Sequence, residues 1–257
     1  MDENYKYVTL LSTDDYILGT LCLAQSLRKV RSKYSLLVLC SQNISERVIS
    51  VLNQEKLDYS ILKDTLNIDA NTNPEYKRWN YTFDKLAVFN LTQYSKIISL
   101  DSDMYVVKNI DHLFSHPHLS AVIADKLDQP DCKELNSGLM VICPSSAEYE
   151  GLLTTAETFV KEKKDYYGDQ DIIRYYYSEW SHGAELELPL TYNMFYPWVD
   201  KIERMACGGG YNVHFVHKKK PFECSFTAFL RRLRTFNKKY LIKYMLMVWY
   251  FRIKYRL

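Results

Sequence analysis

Residues 5–11 (YKYVTLL) alternate polar and apolar positions and then run apolar, the pattern of a strand entering a buried sheet. Asp14 and Asp15 come next as capping candidates, and Ile17, Leu18, Leu21, Ala24 and Leu27 then recur at helical spacing. A second apolar run fills 34–40 (YSLLVLC), after which Ser45 opens a helix with Val48, Ile49 and Leu52 on one face. This β-α-β-α alternation predicts a largely parallel sheet covered on both faces. Residues 64–80 are polar, contain Asn-Thr-Asn-Pro, and read as a loop. A helix is predicted next, with Phe83, Leu86, Ala87 and Leu91 inward, and then a strand over 96–100 that runs into Asp101-Ser102-Asp103. Apolar runs at 121–124 and 138–142, helical patterns at 145–164 and 169–178, and short strands near 186–190 and 212–216 complete the series. No repeat, low-complexity stretch or linker interrupts it before about residue 222.

At 257 residues, 47% hydrophobic and 25% charged, the chain has the composition of an ordinary globular protein. It is long enough to bury roughly 70–75% of the surface its unfolded form exposes, so a packed core suffices for stability. The six cysteines show no CxxC pair and no zinc-site spacing, which fits small core residues in a reducing compartment. The first residues, Met1-Asp2-Glu3-Asn4, lack a basic start and an apolar run, so a cytoplasmic location is expected. The sequons at Asn43, Asn80 and Asn90 are accordingly expected to stay unmodified.

Charge changes the picture at one end. Formal net charge is +2, but residues 223–257 hold nine Lys and Arg against one Glu, so this stretch carries +8 and the remainder −6. In 226–251, Phe226, Phe229, Leu230, Leu233, Phe236, Tyr240, Tyr244 and Val248 recur at helical spacing between basic residues. The chain therefore divides into a domain over 1–222 and a basic, aromatic helical tail over 223–257. Its longest uncharged run, 244–251, is too short to span a bilayer. Two readings of the tail stand: an interfacial helix on an anionic membrane surface, making the protein peripheral on a membrane face, or a helix packed on the domain or on a homodimer partner. Nucleic acid is disfavoured as a partner because the rest of the chain is acidic.

Four short segments carry candidate chemistry. Asp101 and Asp103 sit at the end of an apolar strand, where ligands collect in open α/β sheets, and two carboxylates around the small Ser102 can converge on Mg²⁺ or Mn²⁺. Turn chemistry alone also favours Asp there. In Gly168-Asp169-Gln170-Asp171, Asp169 either caps a helix or holds sugar hydroxyls beside the Gln170 amide. His214 leaves a strand and can complete a metal site, and Lys220, six residues on, can neutralise a diphosphate. Asn136-Ser137-Gly138 precedes an apolar strand and is equally explained as a turn.

The order and spacing of these pieces resemble glycosyltransferase family 8, in its glycogenin branch. Residues 82–114 (TFDKLAVFNLTQYSKIISLDSDMYVVKNIDHLF) look like the family's core segment. The stretches 130–145, 168–173, 189–193 and 213–222 continue the likeness in order, and 8–16 (VTLLSTDDY) resembles its nucleotide-binding strand and turn. The resemblance implies a single α/β domain of the GT-A, Rossmann-like type that transfers a hexose from a UDP-sugar with retention of anomeric configuration. The cofactor it implies is Mn²⁺, with Mg²⁺ as the alternative. It assigns the metal to Asp101, Asp103 and His214, and the nucleotide to Leu10, Ser12, Thr13, Tyr16, Ser102 and Lys220. Around the donor sugar it places Lys85, Asp125, Asn136, Ser137, Asp169 and Gln170, with Arg78 as a further donor contact. Among these, Gln170, Asp169, Lys85 and Asp125 are the expected catalytic group. UDP-glucose is the first choice of donor and UDP-galactose the other, and the acceptor is a glycan, lipid-linked or protein hydroxyl. A self-glucosylating primer is the rival reading. However, the position aligned with the acceptor tyrosine holds Asp200, with Tyr196 nearby. The family often has Gly where His217 stands and Trp where Phe222 stands.

Overall fold

Both faces of the central sheet are apolar, and alternate side chains of each strand show it. In β1 (Tyr5–Leu11) Tyr7 and Leu11 enter one core while Val8 enters the other; in β4 (Lys96–Leu100) Ile98 and Ile97 divide the same way. The computed structural model describes residues 4–63, 80–123, 126–127, 131–162, 167–182, 184–207, 209–216, 220–224 and 238–257.

β1 pairs in parallel with β2 (Leu36–Cys40) on one side and with β4 on the other, and β2 carries β3 (Asp58–Ile61) at the edge. Beyond β4 the order continues through β7 (Leu135–Ile142), β6 (Ser120–Ile123) and β8 (Glu187–Leu188). β7 runs antiparallel to both β4 and β6, so the seven-stranded sheet is parallel in four of its six pairings. A second, three-stranded sheet orders β5 (Met104–Val106), β10 (Asn212–His214) and β9 (Met194–Phe195). The chain leaves β1 towards β2 and returns to β4 on the opposite side. The carboxyl ends of β1 and β4 therefore flank a crevice, the usual place for a ligand in an open α/β sheet.

α1 (Ile17–Lys29) and α2 (Glu46–Gln54) cover one face, and α3 (Ser146–Lys161), α4 (Asp169–Tyr176) and a 3-10 helix over Phe83–Asn90 cover the other. A short α5 (Val199–Met205) lies between β9 and β10 in the chain. Ser45 and Ser145 begin α2 and α3 by accepting from the Val48 and Glu148 amides through their hydroxyls. The segment expected as an α-helix from Phe83 is thus a tighter 3-10 helix. β3 and β5 were not foreseen: β3 is mostly exposed and lacks an apolar rhythm, and β5 is three residues long.

Of the tail, residues 225–237 lie outside the described residues, including Phe226, Phe229, Leu230, Leu233 and Phe236. Beyond them α6 (Lys238–Tyr255) packs on the domain itself. Tyr240, Leu241, Tyr244, Met245, Val248 and Phe251 are buried in the same core as α1. This explains why α1 is buried almost all round, Gly19, Thr20 and Leu23 included. Among the described residues no helix is long and apolar enough to cross a membrane.

Candidate active site

β4 delivers Asp101 at its carboxyl end. The Asp101 amide donates to the Gly138 carbonyl (2.9 Å) and the Met104 amide to the Asp101 carbonyl (3.1 Å), a tight turn that projects Asp101 and Asp103 together. β10 brings His214 alongside, anchored next door by the Phe215 amide on the Asp103 carbonyl (3.1 Å). His214 Nε2 lies 3.1 Å from Asp103 Oδ1 and 3.6 Å from Asp101 Oδ2. One donor atom from each of the three residues falls within 4.8 Å of the others. Cation–ligand bonds of about 2.0–2.3 Å at right angles put neighbouring donors about 2.8–3.3 Å apart. The His214–Asp103 separation lies in that range and the other donors are within 4.8 Å, close enough for one divalent ion to draw the three together. Two carboxylates and an imidazole suit Mn²⁺ or Mg²⁺, with coordination positions left for phosphate oxygens.

Two lysines, Lys85 buried and Lys220 half-buried, face the acidic pair. Lys85 Nζ donates to Asp101 Oδ1 and to the Ser137 carbonyl, both at 2.6 Å, and lies 3.4 Å from Asp169 Oδ2. Burial pulls its pKa down, but the Asp101 and Asp169 carboxylates outweigh it and hold the ammonium above the ordinary lysine value. Lys220 Nζ stands 2.5 Å from Asp103 Oδ2, and Asp103 raises its pKa in the same way against burial. Conversely, burial pushes the Asp103 carboxyl up, while Lys220 and His214 outweigh burial and hold it well below the usual carboxylate range.

β7 and the start of α4 form the wall behind. The Ser137 hydroxyl donates to Asp169 Oδ2 (2.9 Å), and Gln170 Oε1 accepts from Asn136 Nδ2 (2.9 Å) and from the Ser137 amide (3.0 Å). Asp169 is not the helix cap: Asp171 Oδ2 accepts from the Gly168 amide (2.8 Å), and Thr82 Oγ1 accepts from the Asp169 amide (3.2 Å). The Asp169 carboxylate is thereby free to face the cleft. Two residues emerge that the sequence did not single out for a role, Thr82 in this cap and Asn193 between His214 and Asn136. Gly138, expected in a turn, lies instead within β7 and packs against His214. Asn193 closes the 189–193 segment, which was the only signal available for it.

These elements enclose a cleft of about 510 Å³. Leu10, Ser12, Thr13, Tyr16 and Ser102 line it together with Lys85, Asp101, Asp103, Asp169 and Lys220. Asn136, Ser137, Gln170 and His214 stand behind that lining, joined to it by the contacts above. Arg78 and Asp125, expected at the donor, lie outside the described residues, as do His217, Lys218 and Lys219. Tyr196 is in the core at 1% exposure, against the Phe215 ring, and is therefore not an accessible acceptor in this fold.

The fold is of the GT-A type. Its likeness to the galactosyltransferase LgtC, solved with donor and acceptor sugar analogs, has a TM-score of 0.68 at 14% identity and covers 95% of each chain. The sequence pattern of glycosyl transferase family 8 matches residues 7–223, and the chain belongs to that family. It is 33% identical over 227 residues to glycogenin-1 of Caenorhabditis elegans, covering 85% of this chain and 51% of that protein. It is 29% identical over 239 residues to glycogenin-1 of Oryctolagus cuniculus, covering 89% and 68%. The chain thus spans about half the length of the nematode relative.

Proposed function

We propose that the protein is a metal-dependent, retaining hexosyltransferase that moves a sugar, glucose before galactose, from a UDP-sugar to a hydroxyl of a glycan, lipid-linked or protein acceptor. The observation that carries this reading is the convergence of Asp101, Asp103 and His214 at the wall of a cleft of about 510 Å³ that Lys85 and Lys220 also line. A divalent cation held by Asp101, Asp103 and His214 would supply Lewis-acid stabilisation of the departing diphosphate. Lys220, on the cleft wall, adds a fixed positive charge where the β-phosphate gathers negative charge. Leu10, Ser12, Thr13 and Tyr16 hold the uridine end, and Asp169 with Lys85 orients the sugar hydroxyls. Gln170 is a neutral amide and a poor nucleophile, so it shields one face of the sugar. On the opposite, unshielded face the bond from the anomeric carbon to the UDP oxygen breaks as the acceptor oxygen bonds from the side UDP leaves, which retains the configuration. The acceptor proton passes to the released phosphate. The self-glucosylating alternative finds no support at Tyr196, which is buried, or at Asp200, which lacks a phenol.

The exposed side of α6 supports a peripheral contact with anionic lipid, because Ile242, Leu246, Tyr250 and Ile253 form one solvent-facing stripe beside Lys239 and Lys243.

Asp103→Asn tests the transferase reading. It keeps the side-chain shape and removes the charge. UDP release from UDP-glucose with added Mn²⁺ is expected to fall about 100- to 1,000-fold. A rate near wild type rules out the metal role of the acidic pair.

A further inference from the structure

We propose that Asn193 is a positioning residue that ties the metal-ligand histidine to the sugar-side glutamine through a one-way chain of amide hydrogen bonds. The direction of the chain is set by two backbone amides. Ser137 N–H donates to Gln170 (3.0 Å) and Gly138 N–H donates to Asn136 (2.9 Å). A backbone N–H only donates, so the atoms it meets are oxygens, and each side-chain amide is fixed end for end. Gln170 therefore turns Oε1 inward, and Asn136 faces it with Nδ2 at 2.9 Å. Asn136 Oδ1 accepts a second bond, at 2.6 Å, so Asn193 presents Nδ2 on that side and Oδ1 on the other. That Oδ1 lies 2.9 Å from His214 Nδ1. An amide oxygen only accepts, so Nδ1 carries the proton and Nε2 is the ring nitrogen directed at Asp101 and Asp103. The two peptide units of the Asn136–Gly138 stretch of β7 thus select the ligating nitrogen of a histidine that is far away in sequence.

Asn193 is 2% exposed, so water does not substitute for either of its partners. The residue type follows from the two demands. It must accept from an imidazole N–H and donate to an amide oxygen at once, and of the short side chains only an amide places both groups on opposite sides. An aspartate meets the first demand and fails the second. Outer-shell groups of this kind orient a metal-ligating histidine and fix its tautomer. Here the same residue also steadies Asn136, which holds the glutamine, so metal binding and sugar positioning share one support.

The relay rests on the transferase reading, because its two ends are the proposed metal ligand and the proposed sugar-side amide. The test separates the two. In ¹⁵N-histidine-labelled, metal-free protein, long-range ¹H–¹⁵N correlation is expected to show His214 Nδ1 protonated and bonded; an unprotonated Nδ1 overturns the relay. Mn²⁺ affinity, read by electron paramagnetic resonance without nucleotide, is expected to fall about 10- to 100-fold in Asn193→Ala. In Asn193→Asp it should stay within about threefold of wild type, because the imidazole keeps its acceptor. UDP release from UDP-glucose should nevertheless drop at least tenfold in Asn193→Asp, because Asn136 and Gln170 lose their anchor. Wild-type Mn²⁺ affinity in Asn193→Ala, or wild-type turnover in Asn193→Asp, overturns the proposal. A wild-type protein that binds no Mn²⁺ counts against the transferase reading, and the Nδ1 proton still decides the relay.

Discussion

Gly138 lacks a side chain because the site leaves no space for one. A Cβ there would lie 2.7 Å from His214 Cε1, 2.9 Å from His214 Nδ1 and 2.8 Å from Asn136 Oδ1, all too close for real contacts. The histidine ring and the asparagine amide would both have to retreat. Gly138→Ala is therefore expected to cost about 1–3 kcal/mol of stability through overpacking, measured by denaturant titration. It should also weaken Mn²⁺ binding at least tenfold, because the histidine leaves its alignment with the acidic pair. Unchanged Mn²⁺ affinity would mean that the ring has slack the packing does not show. This glycine marks how far the sequence could be read. Asp101, Asp103, His214 and Lys220 were candidates because polar side chains at or after apolar strands stand out in a linear pattern, but only the order of the segments, matched to the family, joined them into one site. Asp169 carried two readings until Asp171 and Thr82 took over the capping of α4. Asn193 carried no signal beyond its place in the 189–193 segment, since its meaning lies in two contacts 21 and 57 residues away.

At the scale of elements, the strands and helices that bury a full face were legible, and those held by a neighbour were not. β3 has little apolar surface of its own and is defined by its ladder with β2. The 3-10 helix over Phe83–Asn90 has the apolar content of an α-helix. The Lys85 amide bonds the Thr82 carbonyl (3.0 Å), and this tighter turn accompanies the contact of the Lys85 side chain with Asp101. The end of α2 shows an electrostatic anchor that neither element announces alone. Glu55 accepts from Lys254 Nζ (2.6 Å) and Tyr255 Oη (2.5 Å), and Arg28 lies 3.3 Å away. Burial pushes the Glu55 carboxyl up, but these donors outweigh it and hold its pKa below the ordinary glutamate value of 4.5. A depressed folded value means that the unfolded chain binds the extra proton first. The anchor therefore stabilises fully above 4.5 and is lost as pH falls through the lower folded value. Glu55→Gln should lower the urea midpoint at neutral pH, and its difference from wild type should close as the solution is acidified below that range. A gap that persists in acid would assign the effect to packing rather than charge.

Considered as a whole, the molecule uses α6 twice, once on each side. The inner side closes the core and braces the segment that carries the late site residues. The Tyr244 ring packs 4.4 Å from Phe215, next to His214, and Arg252 donates to the carbonyls of Phe222 and Cys224, just beyond Lys220. Removing α6 would strip these supports and expose α1, so a chain ending at residue 224 is expected to lose cooperative unfolding and UDP release together. Truncation thus cannot isolate any role of the outer side. That side presents Leu246, Tyr250 and Ile253 at 58%, 56% and 80% exposure, beside lysines that attract anionic headgroups. Leu246→Glu with Ile253→Glu changes this surface and leaves every buried contact in place. The double variant should keep the wild-type melting temperature and UDP release, and should no longer co-sediment with phosphatidylserine-rich liposomes that retain the parent protein. High salt should weaken retention of the parent, since part of the attraction is between exposed charges. Equal retention of parent and variant, or none for either, would remove the lipid reading and leave α6 as a strut for the active site.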